Sequence, residues 1–306
     1  MTLGASIAFA LGPHVEGLTL PPSPNWPADP PNVYVVRGRS AWAMVDAGWG
    51  RPEDLDAIDS WLAARPPLGR AGPLLLTHAH HDHIGGASAL AARHGLCPTA
   101  LGSERQTARR HGLDDRFTAA ADGDLVDLGG VRLRLLATPG HTPGSASFHL
   151  ACDGPNGPDV LFSGDTVVGR HSAWIGPPDG DLDVYLETLA RLAAPDAPWA
   201  GARLAPGHGP AGAPVGDSAA SLRRRRLARD RDILALLAGG PRDAHALAAA
   251  LYGAGAGPIL GPGGVAERTV FAHLAHLERL GRVVAAAAPS DAEPLRLPYR
   301  LVECRA

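Results

Sequence analysis

The sequence predicts an α/β protein, built as a sandwich of β-sheets covered by helices and followed by a small second domain. Three observations lead to this fold class. Apolar runs of strand length alternate with patterns of helix length over roughly residues 12–212. Residues that bind metals stand where these strands end, which places a site at one edge of the sheets. After His208 the composition changes to the Pro/Gly linker Pro210–Val215 and then to helical patterns, so we expect domains at 1–212 and 213–306.

The elements of the first domain follow from periodicity and from turn residues. Residues 1–31 hold seven prolines and predict an irregular segment or a short strand. Alternating apolar residues on both sides of Arg37–Ser40 predict a hairpin. Pro52 and Pro66 bracket a helix, because proline is favoured at a helix start and beyond its end. The remaining elements are predicted as strands at 74–76, 99–101, 145–150, 160–162 and 203–204, helices at 87–94, 104–111 and 182–193, and a hairpin of 123–128 with 130–136.

The most informative stretch is the loop after the strand Leu74–Leu76. This apolar run ends abruptly in His78, His80, Asp82 and His83. Imidazole nitrogen and carboxylate oxygen are ligands of zinc and similar divalent ions. A polar loop with histidines by chance is the alternative, but this density of histidines directly behind a buried strand favours a metal site. Two ligands at i and i+2, with two more directly after them, can face two neighbouring ions.

The pattern Thr-His-x-His-x-Asp-His of Thr77–His83 resembles the signature of the metallo-β-lactamase-fold hydrolases. Further motifs resemble this family and occur in its order: Asn32–Val36 and Val45–Gly48 as its first strands and Asp-x-Gly turn, Thr138–Ser145 as its third motif, Ser163–Thr166 as its fourth and Ala205–Pro210 as its last. The resemblance implies the αββα sandwich of the family. It also implies that Asp46 braces the metal loop, as carboxylates do for ligating histidines.

The resemblance further implies a binuclear site. The implied ligands are His78, His80 and His141 on one ion, Asp82, His83 and His208 on the other, and Asp165 between them. Five neutral imidazoles and two carboxylates suit two Zn²⁺ per chain, and also accept iron or manganese. A hydroxide that bridges the two ions would be the nucleophile, and Asp82 would orient it and accept its proton. We therefore expect a metal-dependent hydrolase with Asp82 as its catalytic residue.

The sequence predicts the class of substrate only in part. The matching position of the well-known zinc β-lactamases carries Cys or Ser, whereas Asp165 resembles hydroxyacylglutathione hydrolases, lactonases and ribonucleases of the superfamily. We therefore predict hydrolysis of an ester, thioester, lactone or amide, and favour a small acyl substrate similar to a hydroxyacyl thioester. A single-strand-specific endoribonuclease is the alternative. Promiscuous β-lactamase activity and a non-catalytic metal-binding or nucleic-acid-binding regulator rank below both.

Several polar residues outside the ligand set allow two interpretations. Arg170–Ser172 form either a solvated loop or a contact to a substrate anion. Tyr185 is interpreted as a packing residue, with substrate contact as the alternative. His81 is interpreted as a surface residue or a neighbour of the ligands, and His149 as a structural residue of a strand.

Composition excludes some classes of function. The net charge of −3 gives no overall field that favours nucleic acid or a membrane surface. We find no signal-peptide pattern and no apolar stretch of the ~20 residues that span a bilayer. Cys97, Cys152 and Cys304 are odd in number and far apart, which predicts reduced thiols in a cytoplasmic protein.

The second domain shows helical patterns from 217 or 218 to 237, at 244–252 and at 265–280, then two strands at 283–287 and 295–302. A glycine-rich stretch, Gly253–Gly264, predicts a flexible loop. Three helices and a two-stranded ribbon resemble a small winged helix, found at the end of one metallo-β-lactamase-fold subgroup. The helix at 265–280 mixes acidic and basic residues, which favours a structural or homodimer-forming module over RNA binding.

Overall fold

The computed structural model describes residues 6–23, 29–113, 116–152, 157–253, 264–286 and 294–302. Two compact units are present: the first comprises Met1–Pro139, Pro143–Ala173 and Arg191–Ala219, and the second comprises Gly140–Thr142, Trp174–Ala190 and Ala220–Ala306. The domain boundary predicted at residue 212 stays a prediction. Among the described residues, none of the helices has the length and hydropathy needed to cross a bilayer.

The first unit contains a seven-stranded sheet in the order β1 to β7. Its strands are β1 Ile7–Ala10, β2 Val15–Thr19, β3 Asn32–Arg37, β4 Ala41–Val45, β5 Arg70–Leu75, β6 Cys97–Leu101 and β7 Thr118–Ala120. Neighbours from β1 to β4 are antiparallel, and those from β4 to β7 are parallel. Parallel neighbours need crossover connections. Helices α1 (Pro52–Ala63) and α3 (Ala87–His94) lie in two of these connections, which confirms both predicted helices.

A five-stranded sheet completes the sandwich, in the order β12-β11-β10-β9-β8. Its strands are β8 Leu125–Asp127, β9 Arg132–Ala137, β10 Ala146–Ala151, β11 Val160–Gly164 and β12 Arg203–Pro206. Strands β8 and β9 form the predicted hairpin around Gly129 and Gly130. Strands β11 and β12 run parallel, so their carboxyl ends meet at one edge, where Gly164 pairs with Pro206.

Alternation along β3 shows how the sandwich is held together. Val33 and Val35 belong to the core between the seven-stranded sheet and α1, whereas Tyr34 and Val36 belong to the core between the two sheets. Successive residues of a strand point to opposite faces and every second residue shares a face, so both faces of β3 are buried. The Tyr34 ring meets the Phe162 ring of β11 edge to face, with centroids 5.2 Å apart. The predicted α/β sandwich is confirmed.

The remaining helices are α2 His81–Ile84, α4 Arg105–Arg110, α5 Leu182–Leu192, α6 Val215–Leu237, α7 Ala244–Tyr252 and α8 Val265–Arg279. In the second unit, apolar side chains of α6, α7 and α8 share one core. Strands β13 (Val283–Ala285) and β14 (Tyr299–Leu301) pair antiparallel. The predicted three helices and ribbon are therefore present, while their assignment as a winged helix stays a prediction.

Some element boundaries differ from the sequence predictions. Residues 7–10 and 15–19 form strands β1 and β2, because main-chain pairing of β2 with β3 and of β1 with β2 stabilises a segment whose prolines gave a weak strand pattern. Helix α6 begins at Val215, directly after Pro214, and not at Asp217 or Ser218. The predicted helix at 104–111 ends at Arg110. The predicted flexible loop lies at 254–263 outside the described residues, as does Cys304.

Candidate metal centre

The candidate metal centre lies at the carboxyl ends of β4 and β5, two adjacent parallel strands of the seven-stranded sheet. Strands β4 and β5 pair Val45 with Leu75, so Asp46 and Thr77 follow at the same sheet edge. The buried Asp46 carboxylate accepts hydrogen bonds from the Thr77 backbone N–H and the Thr77 hydroxyl, both at 2.8 Å. It also accepts the Nδ1–H of His83 at 2.7 Å. Asp46 thus holds both ends of the metal loop, in the position that the sequence resemblance implied.

Glycines let this loop approach the turn after β4. Helix α2 is a single turn, and Gly85 follows it directly. A Cβ atom on Gly85 would lie 2.2 Å from the Trp49 carbonyl oxygen, and one on Gly86 would lie 2.3 Å from that of Ala47. The two backbones therefore pack directly against each other, which a larger residue would prevent. Ala47 N–H donates to the His83 carbonyl at 2.7 Å and completes the contact.

The second sheet supplies Asp165, directly after β11, and the turn that carries His208. The Asn32 amide donates to the carbonyl oxygens of Pro206 and Gly209, each at 3.0 Å. The Tyr34 hydroxyl donates to the same Pro206 carbonyl at 2.7 Å. His208 Nδ1–H donates to the Asp29 carbonyl at 2.7 Å. Strand β3 of the first sheet therefore fixes the turn that orients His208.

The predicted ligands of the first unit converge around His83. His83 Nε2 lies 3.3 Å from His208 Nε2 and 3.4 Å from Asp165 Oδ1. His208 Nε2 lies 3.1 Å from Asp82 Oδ2. Two groups suited to a metal ion result, and within each the ligand atoms lie within 4.8 Å of one another: His78, His83 and Asp165, and Asp82, His83 and His208. His80 lies beside His78, with ring centroids 4.7 Å apart.

His141 belongs to the three-residue segment Gly140–Thr142 of the second unit. Its ring is buried, and its Nδ1–H donates to the Trp174 carbonyl at 2.7 Å. The carbonyl of the preceding Gly140 accepts the Asp181 N–H at 2.9 Å. The His141 side chain and the backbone directly before it are therefore both fixed by hydrogen bonds.

The hydrogen bonds also select the ligand atom of the imidazoles. His83, His141 and His208 each donate Nδ1–H to an oxygen acceptor. The Thr77 hydroxyl gives its proton to Asp46, so His78 Nδ1–H donates to Thr77 Oγ1 at 3.1 Å. Each of these tautomers leaves a lone pair on Nε2, the arrangement typical of metal-ligating histidines. The donor set fits a divalent ion of the zinc type.

Charge in this pocket also favours a cation. Burial lowers the pKa of His83, but the carboxylates of Asp82, Asp46 and Asp165 outweigh this effect and raise that pKa to about 10. Burial raises the pKa of Asp82, but the His83 and His208 imidazoles outweigh it and lower that pKa. Three buried or half-buried carboxylates meet at this point, and buried charges require a partner of opposite sign.

Most of the polar residues outside the ligand set lie where a packing or surface role, and not a substrate contact, would place them. Tyr185 is fully buried, and its ring lies 5.7 Å from the Arg226 guanidinium. His149 Nε2 lies 3.3 Å from Asp159 Oδ2, as expected for a structural strand residue. His81 and His171 are exposed. The residues that sequence reasoning missed are Asn32, Tyr34 and the backbone carbonyl acceptors.

A two-sheet sandwich with histidines and aspartates gathered at the ends of its strands defines a class of metal-dependent hydrolases. The chain belongs to the metallo-β-lactamase superfamily, whose family model matches residues 26–208. It is therefore a metal-dependent hydrolase, as the sequence predicted.

Relatives and solved structures refine this assignment. The chain is 39% identical to a hydroxyacylglutathione hydrolase of Pseudomonas putida strain GB-1 over 158 residues, which are 50% of this chain and 56% of that protein. It is 35% identical to the hydroxyacylglutathione hydrolase of Acidiphilium cryptum strain JF-5, over 52% of this chain and 62% of that protein. The chain thus spans little more than half the length of these curated relatives.

Among solved structures, a metallo-beta-lactamase family protein from Thermus thermophilus matches with a TM-score of 0.73 and 26% identity, over 96% of this chain and 100% of that chain. A Beta-lactamase domain protein from Burkholderia ambifaria matches with a TM-score of 0.79 and 23% identity, over 96% of this chain and 93% of that chain. The second likeness shows the fold alone.

Proposed function

We propose that the chain hydrolyses a thioester of a small hydroxy acid with two zinc ions. The observation that carries the proposal is the convergence of Asp82, His83, His208, Asp165 and His78 at one sheet edge. His80 and His141 are expected to complete the ligand set at the positions of their motifs. The hydroxyacylglutathione hydrolases of 35–39% identity support a thioester as the electrophile.

The chemistry of the residues suggests a separate role for the ions and for each carboxylate. Two zinc ions would supply Lewis acidity, which activates water and polarises the acyl carbonyl. Asp82 would orient the attacking water and accept its proton, because its carboxylate lies beside the imidazoles of His83 and His208 at the site where the ions would bind. Asp165 would share its carboxylate between the two ion sites. Iron or manganese would fit the same nitrogen and oxygen donors.

The side chain of Asp165 also bears on the substrate. A carboxylate at this position resembles the hydroxyacylglutathione hydrolase group, whereas β-lactamases of the fold carry Cys or Ser. We therefore infer that β-lactam cleavage is at most a side activity. We propose that the substrate is a small soluble molecule in the cytoplasm, the compartment in which cysteines such as Cys97 and Cys152 stay reduced.

Single-stranded RNA is the second candidate substrate. Arg223 and Arg224 of α6 are exposed, and the unit that contains them has the three helices and ribbon expected of a winged helix. Zinc ions can activate water against a phosphodiester as well as against an acyl carbon. Glu278, the exposed acidic side chain of α8, weighs against a strand-binding helix.

The test compares the zinc-loaded protein with Asp82→Ala and with Asp56→Ala, which removes an exposed carboxylate on α1 as a matched control. Each protein receives a hydroxyacyl thioester, a lactone, a β-lactam and a labelled single-stranded RNA. We expect thioester cleavage by the wild type and Asp56→Ala, and a kcat/KM lower by about 10²–10⁴ in Asp82→Ala, the usual loss for an acid–base group.

The outcomes separate the candidate functions. RNA cleavage that depends on Asp82, without thioester cleavage, would replace the proposal by the ribonuclease. Full thioester activity in Asp82→Ala would remove the role assigned to this carboxylate. No Asp82-dependent turnover of any of the four substrates would overturn hydrolysis of these classes.

A further inference from the structure

The segment Trp174–Ala190 of the second unit holds the turn that carries His141. The Trp174 carbonyl accepts the His141 ring proton, and the Asp181 N–H donates to the Gly140 carbonyl. Gly140 has φ +127°, and a Cβ atom there would lie 2.4 Å from Tyr185 Cα. The turn thus meets this segment at three points. The position of the His141 ring therefore depends on the position of this segment.

Helix α8 in turn holds the same segment by charged side chains. The Arg279 guanidinium lies 3.3 Å from Asp181 Oδ1 and forms an ion pair with Asp183. Asp181 Oδ1 also accepts the N–H groups of Asp183 at 2.9 Å and Val184 at 3.2 Å, so it caps the start of α5. Asp181 therefore contacts Arg279 through its carboxylate and hydrogen-bonds the Gly140 carbonyl through its backbone N–H.

A second contact anchors α8 to the interior of the unit. His276 Nδ1 hydrogen-bonds Asp183 Oδ1, and His276 Nε2 lies 3.7 Å from Asp230 Oδ2 of α6. His273, one turn earlier on α8, hydrogen-bonds Asp230 Oδ1 at 2.7 Å. These imidazoles and carboxylates run from the half-exposed Arg279 to the fully buried His273. The start of α5 is therefore tied to α6 through α8.

We propose that α8 is a positioning element for metal binding, with Arg279 and His276 as its positioning residues. They fix Asp181 and Asp183, and through the Asp181 N–H they fix the turn of His141. The inference rests on the proposed role of His141 as a metal ligand and extends that role to the C-terminal unit. Groups that orient a ligating histidine typically contribute tenfold to hundredfold to metal affinity. A purely structural α8 would contribute to stability but not to metal affinity.

The test uses the full chain with Arg279→Gln, Arg279→Lys and Arg282→Gln. Arg279 is half-exposed, so its replacement leaves the core of the unit intact. Arg282 is an exposed arginine three residues further along the chain and serves as the matched control. Zinc affinity is measured by competition with a chromogenic chelator. The visible absorption of the Co²⁺-loaded protein reports the coordination geometry, and thermal melting of the metal-free protein reports stability.

We expect Arg279→Gln to weaken the affinity for one of the two zinc ions by about tenfold and to change the cobalt spectrum. Arg279→Lys keeps the charge but not the planar fork that can pair with two carboxylates, so we expect an intermediate affinity. Arg282→Gln should match the wild type in both readouts. A lower melting temperature with unchanged zinc affinity and an unchanged cobalt spectrum would overturn the inference.

The metal readouts need no substrate, so they separate this inference from the proposed function. If the wild type binds two ions but cleaves no thioester, the proposed substrate is wrong and the affinity comparison still tests α8. If thioester cleavage is confirmed and the Arg279 variants bind zinc as the wild type does, only the role of α8 is wrong.

Discussion

Gly207 shows how closely the backbone approaches the candidate ligands. A Cβ atom at this position would lie 2.5 Å from Asp165 Oδ1 and 2.7 Å from His83 Cε1. Either contact would push a ligand away from its present place. Overpacking of a close-packed site costs ~1–3 kcal/mol. We therefore expect Gly207→Ala to lower zinc affinity by about tenfold to hundredfold, measured by chelator competition.

Gly201 provides the matched control for Gly207. It precedes β12 at the surface, and a Cβ atom there would meet nothing within 4 Å. Gly201→Ala should therefore bind zinc as the wild type does. Equal zinc affinity of Gly207→Ala and Gly201→Ala would contradict the close packing around Asp165 and His83.

Single residues also show where sequence reasoning stops. His83 and His208 could be predicted because imidazoles behind strands, in family motifs, have a chemical meaning. Asn32 and Tyr34, which orient the His208 turn, could not, because they contact residues more than 170 positions away. The Trp174 carbonyl that holds His141 is a backbone atom, so residue type carries no signal for it.

Helix α8 carries a buried histidine whose titration should affect stability. Burial lowers the pKa of His273, the hydrogen bond to Asp230 raises it, and the Arg226 charge lowers it, with a net decrease below its ordinary value of 6.5. The unfolded chain therefore binds this proton more readily than the folded chain. The free energy of unfolding should be highest above about pH 6.5 and fall as the pH drops below that value.

The variant His273→Asn tests this dependence, since the asparagine amide nitrogen takes the place of His273 Nδ1, which hydrogen-bonds Asp230, but cannot titrate. Urea unfolding of the metal-free chain is compared between pH 5.0 and 8.0. Below pH 6.5 we expect the free energy of unfolding to fall less steeply in the variant than in the wild type, by up to about 1.4 kcal/mol per pH unit. Above pH 7.5 the two dependences should run parallel. Parallel dependences over the whole range would exclude a lowered His273 pKa.

Among the elements, local signals predicted the long helices and the hairpins, gave only a weak strand pattern for β1, and gave none for β7. Helix α3 was predicted at its observed bounds, and the Gly129–Gly130 turn identified the β8–β9 hairpin. Strands β1 and β7 lie at the two edges of the seven-stranded sheet and are only four and three residues long. Their conformation depends on pairing with a neighbour, a non-local contact that a short apolar run does not reveal.

Across the whole molecule, the two kinds of comparison cover different lengths. Sequence identity to the hydroxyacylglutathione hydrolases extends over about half of the chain. The fold likeness to the proteins of Thermus thermophilus and Burkholderia ambifaria extends over 96% of it, and so includes the C-terminal unit. Any function specific to the C-terminal unit must therefore be tested on this chain.

Metal binding should also stabilise the chain as a whole. Asp46, Asp82 and Asp165 bring three carboxylates together around His83 in the first unit, and buried charges require partners of opposite sign. An ion that binds only the folded chain stabilises it by ~4 kcal/mol at a free concentration a thousandfold above Kd. We expect chelation to lower Tm and zinc to restore it, with a smaller difference in a chain that lacks the Asp165 carboxylate. Calorimetry of the wild type and Asp165→Asn, each with chelator and with zinc, measures these changes in Tm.

An equal Tm of the wild type in chelator and in zinc would show that these carboxylates hold no ion, and would contradict the metal centre itself.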